Sequence, residues 1–169
     1  MDDRSEVSTH QTSIFHLGYA YQELGQFDKA IQVFEDARKL APNDPSMVAY
    51  LIRAQMAAKN YTAAAEVARS ARAQSPDDLR LATLESLALR RAGKLDQSVT
   101  AMEEFFRRQQ DDPDAYVAMA RAYSEARRGP QAVKVLQDAQ AKFPAEAAVT
   151  FELGADRKST RLNSSHANI

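Results

Sequence analysis

The sequence predicts an all-α chain of tandem antiparallel helix hairpins stacked side by side, about four and a half of them. Three observations carry this. Pro42, Pro76 and Pro144 fall on a 34-residue grid whose missing member is Gln110. Each proline closes a similar phrase: Leu40-Ala41-Pro42-Asn43-Asp44, Gln74-Ser75-Pro76-Asp77-Asp78 and Lys142-Phe143-Pro144-Ala145-Glu146. A shift of 34 also aligns Gly25-Gln26-Phe27-Asp28-Lys29-Ala30 with Lys59-Asn60-Tyr61-Thr62-Ala63-Ala64, Gly93-Lys94-Leu95-Asp96-Gln97-Ser98 and Arg127-Arg128-Gly129-Pro130-Gln131-Ala132. The repeat units are 11–44, 45–78, 79–112 and 113–146, after a polar lead over 1–10 and before a partial unit over 147–155.

Each unit reads as two helices. In the first helix Ile14, Leu17, Gly18 and Tyr21 form one stripe on a 3.6-residue period, and in its partner Ala30, Ile31, Phe34, Ala37 and Leu40 do the same. Gly25 separates the two, and Asp28 is placed to cap the second by accepting its free N–H groups. Pro42 then ends the second helix, because it cannot donate the hydrogen bond of a further turn. Pro45 and Pro113 open the next units, where a missing N–H costs nothing. Turns are expected near 25–27, 42–45, 59–61, 76–79, 93–95, 110–113, 127–129 and 144–146. Small residues recur at Ala30, Ala64, Ser98 and Ala132, and again at Ala37, Ala71 and Ala139, which lets helix axes approach closely. A hairpin cannot bury its apolar face alone, so neighbours share one continuous core.

Composition excludes several classes. The 169 residues are 44% hydrophobic and 27% charged, which is globular. Net charge is −1, without the basic excess of a protein that lives on nucleic-acid phosphates. There is no cysteine, hence no disulfide, thiolate metal site or cysteine nucleophile. No apolar run approaches a membrane span, and the start, MDDRSEVSTH, has no signal-peptide pattern. As written the chain reads as cytoplasmic, and as periplasmic if its native N-terminus is missing.

Chemistry finds no footing. The histidines are His10, His16 and His166, with no His-x-x-x-His pair, no Gly-rich phosphate loop and no strand for a nucleophile elbow. Asp77-Asp78 and Asp111-Asp112 occupy the same turn of successive units, just before a helix start, where carboxylates compensate the helix dipole. We expect no enzyme activity, no metal and no cofactor.

Leu17-Gly18-x-x-Tyr21, Ala30-x-x-x-Phe34 and Pro42 together resemble the tetratricopeptide consensus, with the leading Trp replaced by Ile14. The fourth unit is similar through Tyr116, Met119, Ala120, Tyr123, Ala132, Leu136, Ala139 and Pro144. The second carries Gln55 and Ala68 where aromatics are usual, and the third carries Glu85, Phe105 and Gln110 in place of an apolar, a small residue and the proline. The resemblance covers 11 to about 155. It implies a right-handed α-solenoid, a superhelix whose concave wall is lined by the first helix of every unit, and a protein-interaction scaffold that holds another polypeptide there.

On that resemblance the wall-facing columns are Thr12, Phe15, Tyr19 and Gln22, then Ser46, Ala49, Arg53 and Met56. Arg80, Thr83, Leu87 and Arg90 follow, then Asp114, Val117, Arg121 and Ser124, with Tyr50 flanking. Family members that clamp the carboxylate tails of heat-shock chaperones use a Lys and an Asn on the first helix and basic residues on the third unit's first helix. Phe15 and Tyr19 stand in place of the former and Arg80 alone survives of the latter, so that clamp is expected to be absent. What remains as the candidate peptide-binding groove is Phe15, Tyr19, Tyr50, Arg53, Arg80, Arg90 and Arg121, aromatic at one end and arginine-rich in the middle, suited to a partner protein or peptide with acidic residues. The alternative is a structural or self-assembly segment of a larger protein with no independent ligand; the sequence does not give the oligomeric state. A basic groove and a 35-residue period would favour an RNA-binding repeat, whereas the period is 34 and the overall charge is balanced.

Phe151-Glu152-Leu153-Gly154 parallels Phe15-His16-Leu17-Gly18, and then the pattern stops. The stretch 156–169, DRKSTRLNSSHANI, resembles translated adapter sequence and is expected to be a non-native, disordered tail on a bacterial fragment.

Overall fold

In a computed structural model every regular element among the described residues is a helix; those residues are 3–40, 44–152 and 154, with side chains described from residue 12. Pro42 and the tail 156–169 lie outside them. The chain divides into two compact units, Met1–Gln74 and Ser75–Ile169.

Unit 1 contains α1 (Asp3–Glu23), α2 (Phe27–Leu40), α3 (Pro45–Ala57) and α4 (Tyr61–Gln74). Unit 2 contains α5 (Leu79–Arg91), α6 (Leu95–Phe106), α7 (Pro113–Glu125) and α8 (Gly129–Lys142), followed by helical residues 147–152. Within each unit sequential helices pack against one another, and first helices also touch the next first helix, α1 with α3 and α5 with α7. The lead read as polar is already helical from Asp3, so α1 runs to 21 residues.

The repeat period governs the helix ends. The first helix of every unit closes with a residue in the left-handed region: Gly25 (φ 68°), Lys59 (φ 62°), Gly93 (φ 76°) and Arg127 (φ 61°), each 34 residues after the last. The same two bonds accompany each one. Lys59 N–H donates to Met56 O and Asn60 N–H to Gln55 O, at 3.1 and 2.8 Å. Arg127 and Arg128 donate to Ser124 O and Tyr123 O at 3.0 and 2.8 Å. This paired closure satisfies carbonyls that the helix end leaves without a partner.

N-termini repeat as well. Asp44, Asp78 and Asp112 are the N-caps of α3, α5 and α7, accepting from the amides of Ser46, Leu81 and Asp114. The acidic pairs therefore serve helix starts through their second members. Asp28, expected as a cap, lies inside the first turn of α2, where Ala30 N–H bonds to Gln26 O; it sits in the positive field of that end without being the cap. Pro45 and Pro113 open their helices as expected.

Burial follows the small-residue columns. Ala30, Ala64 and Ala132 are fully buried, and Ser98 is buried with its Oγ 2.8 Å from the Oγ of Ser86. Unit 1 packs Ala30, Ile31, Phe34, Leu51 and Ala54 together. Unit 2 packs Ala82, Val99, Met102, Phe105, Ala115, Met119 and Ala122, and beside them Tyr116, Val117, Ala139 and Val149.

Three expectations meet a different outcome. Leu17 is 48% exposed although its repeat equivalents Leu51 and Met119 are buried. Leu51 packs with Phe34 of α2 and Met119 with Met102 and Phe105 of α6, each the second helix of the preceding hairpin. Among the described residues no such helix precedes α1. Leu40 is exposed because its column ends a second helix; its equivalents Gln74 and Lys142 are polar. Finally, α6 stops at Phe106, two residues short of the position where α4 and α8 end. In the unit without a closing proline, Arg108 and Gln109 N–H turn back onto Phe105 O and Phe106 O, and Phe105 is buried where other units carry alanine.

Candidate functional site

The aromatic candidates come together. Phe15 and Tyr19 are one helical turn apart on α1 and stack with ring centroids 5.9 Å apart. Across the α1–α3 seam Phe15 meets Tyr50 at 4.7 Å, and Tyr50 rests on Phe34 of the unit 1 core at 5.6 Å. Phe34 was not among the sequence candidates; its place directly under Tyr50 anchors the patch to the core. Tyr19 is 45% exposed while Phe15 and Tyr50 are half-buried, so the patch offers one open ring on a fixed aromatic base. Arg53 follows Tyr50 by three residues on the same face of α3, exposed and without an ion pair among the described residues.

The unit 2 arginines are held differently. Arg80 Nη2 reaches Asp78 Oδ2 at 3.4 Å, the carboxylate that caps its own helix. Arg90 on α5 pairs through Nη1 with Glu125 on α7, and its Nε is buried without a hydrogen-bond partner. Arg121 donates both Nε, at 2.9 Å, and Nη2 to Oε1 of Glu152 in the following helical segment. Val117, expected on the wall, is buried against Tyr116, Ala139 and Val149. Sequence reading missed Glu125 and Glu152, yet a signal existed. Each stands about one repeat after its arginine, and opposite charges one period apart on first helices are neighbours in a stack.

Further pairs about one repeat apart lie in unit 2: Arg128 Nη2 to Asp96 Oδ1 and Lys142 Nζ to Asp111 Oδ1, both at 2.6 Å. The Lys142 ammonium holds the Asp111 carboxyl below the usual carboxylate range, chiefly by hydrogen bonding. Tyr123 donates from its hydroxyl to Glu103 Oε1 at 2.9 Å, and burial, with that bond second, pushes the phenol up. Among the described residues no group of three or more His, Asp or Glu could hold a metal ion, and no helix is long and apolar enough to cross a membrane.

The tetratricopeptide repeat model matches residues 15–78 and 83–147. The chain belongs to the tetratricopeptide repeat family. Solved structures similar to it share the fold. The nearly identical TPR-like repeats of Podosopora anserina superpose with a TM-score of 0.64 at 20% identity, over 94% of this chain and 90% of that one. The MamA protein gives 0.59 at 15% identity, over 93% and 86%. A thermophilic TPR protein from Thermus thermophilus gives 0.57 at 22% identity, over 88% and 82%. No curated protein matches the sequence at a significant level.

Proposed function

We propose that this tetratricopeptide protein is an interaction scaffold that holds a peptide segment of another protein against the α1/α3 wall of unit 1. The observation that carries the reading is the Phe15–Tyr19–Tyr50 patch, an aromatic surface fixed from below by Phe34 and open at Tyr19. Rings of this kind bring large contact area at low conformational-entropy cost, which is why aromatics dominate binding energy at many interfaces. The tetratricopeptide fold in general serves protein interaction, and family resemblance gives first helices as the binding wall. The unit 2 arginines expected beside the patch each pair with an acid of their own unit, Asp78, Glu125 or Glu152, so the reading rests on the aromatics.

Site-directed photo-cross-linking tests it. A benzoylphenylalanine in place of Tyr19, expressed in the source cell, should form a discrete adduct with another protein. The same group in place of exposed Gln32 on α2 should not. Adducts from position 32 alone, or from neither position, overturn the reading. An adduct only with a second copy of the chain would favour the self-assembly alternative instead.

A further inference from the structure

We infer that Arg53 is the carboxylate receptor of the unit 1 wall, and that this wall takes a segment pairing one aromatic or aliphatic side chain with a single acidic residue. The inference rests on the proposed peptide site and narrows its partner.

First helices of successive hairpins run in the same direction, and the Phe15–Tyr50 contact fixes how α1 lies beside α3. One turn further along each helix stand Tyr19 and Arg53, which are also equivalent positions on the 34-residue period. The exposed ring and the exposed guanidinium therefore lie on the same stretch of wall.

Charge follows. The other α1 and α3 wall positions are Thr12, Gln22, Ser46, Ala49 and Met56, all uncharged, so Arg53 is the one charged residue among those positions. On α1 His16 stands beside Phe15, and Glu23 lies one turn beyond Tyr19. Arg90 and Arg121 present the contrasting case. Glu125 and Glu152 already pair with them, and an incoming carboxylate would have to compete with a neighbour tethered in the same chain. Tethering gives such a neighbour a high effective concentration, which a free peptide at micromolar levels does not match. A planar guanidinium without an internal acid is a ready bidentate carboxylate receptor. Only Arg53 of the four wall arginines meets that condition.

The test is selection from a phage-displayed random dodecapeptide library on the immobilised full chain, with sequencing of enriched pools. Peptides carrying one Asp or Glu near an aromatic or aliphatic residue should be enriched. On Arg53→Gln the apolar preference should persist and the acidic preference vanish. The best synthetic peptide should weaken about twofold to fivefold, the range for one exposed charge contact. Arg53→Lys, which keeps the charge and loses the fork, should fall between. Arg80→Gln and Arg121→Gln should select the same peptides as the unaltered chain. Acidic enrichment that survives Arg53→Gln, or that disappears in Arg121→Gln, overturns this inference while leaving the peptide site intact. Absence of any enrichment lost on Tyr19→Ala overturns the peptide site itself, and this inference with it.

Discussion

Arg127 adopts, at φ 61°, the left-handed conformation that Gly93 adopts at φ 76° one repeat earlier, with the same pair of hydrogen bonds closing the helix behind it. Lys59 repeats the substitution in unit 1, where Gly25 stands in the equivalent place. For a residue with a Cβ this region costs about 1–2 kcal/mol, whereas glycine enters it freely. Glycine in turn adds about 0.5–1 kcal/mol of backbone entropy to the unfolded chain. The balance favours glycine slightly, so Lys59→Gly and Arg127→Gly should each raise stability by roughly 0.5 kcal/mol. Urea unfolding should show a higher midpoint with unchanged slope. A loss in either variant would mean that the side chain's own contacts outweigh the strain.

Gly18→Ala should go the other way. A methyl group at Gly18 would run into the ring of Phe34, which is 1% exposed and also packs on Tyr50. Alanine gains about 1 kcal/mol of helix propensity over glycine. Overpacking of a filled core costs about 1–3 kcal/mol, so the net effect should be a loss of up to roughly 2 kcal/mol. The same shift should disturb the aromatic patch through Phe34 and Tyr50. Near-ultraviolet circular dichroism of the tyrosines should change along with the unfolding midpoint, and an unchanged spectrum would argue against that coupling.

How much could be read without coordinates follows from what repeats. Positions fixed by backbone geometry recur with the period, so the turns at Gly25, Lys59, Gly93 and Arg127 were visible in the alignment of the chain on itself, whereas the acidic pairs read as helix-dipole partners and the cap was expected at Asp28 rather than at Asp44, Asp78 and Asp112. The buried column Ala30, Ala64, Ser98 and Ala132 was visible for the same reason. Features that break the period were not. Nothing local says that α6 stops at Phe106, or that Leu17 lacks the cover that Leu51 and Met119 receive. At the candidate site the aromatic cluster was half legible. Phe15 and Tyr19 share a helix face, but the seat of Tyr50 on Phe34 depends on packing between hairpins. The engagement of Arg90 and Arg121 depends on side-chain reach to the next first helix, which residue identity alone does not settle.

The Tyr123 hydroxyl bond to Glu103 predicts an alkaline signature. Burial and that bond raise the folded phenol above its ordinary value of 10.0. A raised folded value means that the stabilisation is complete below the unfolded value and is lost as pH climbs through the folded one. Stability should therefore hold from neutral pH to about 10 and decline beyond it. Tyr123→Phe should cost about 0.5–1.5 kcal/mol at neutral pH, the usual worth of one hydrogen bond. It should also flatten the decline above a pH of about 10. Thermal melts across that range for both proteins check the two effects separately, and a variant as alkali-sensitive as the parent would assign the decline to other groups.

Among the described residues, the helical segment 147–152 meets α7 and α8 through a buried valine and an ion pair, and their magnitudes differ. Val149 is fully buried against Tyr116 and Ala139, while the Arg121–Glu152 pair is open to solvent on the arginine side, 63% exposed against 16% for the glutamate. Removing two methyl-sized groups from a buried valine loses about 0.8 kcal/mol each, before any cavity left behind. An exposed ion pair is worth about 0–1 kcal/mol and weakens further with salt. Val149→Ala should therefore destabilise the segment by about 1.5–2.5 kcal/mol, and Arg121→Gln by less than about 1 kcal/mol. Native-state hydrogen exchange reads this directly: the amides of residues 150–152 should lose roughly tenfold or more in protection in the valine variant. They should lose only a few-fold in the arginine variant, and raising salt should bring the parent toward that variant. If Arg121→Gln instead opens the segment as far as Val149→Ala does, the ion pair rather than the buried side chain is what docks it.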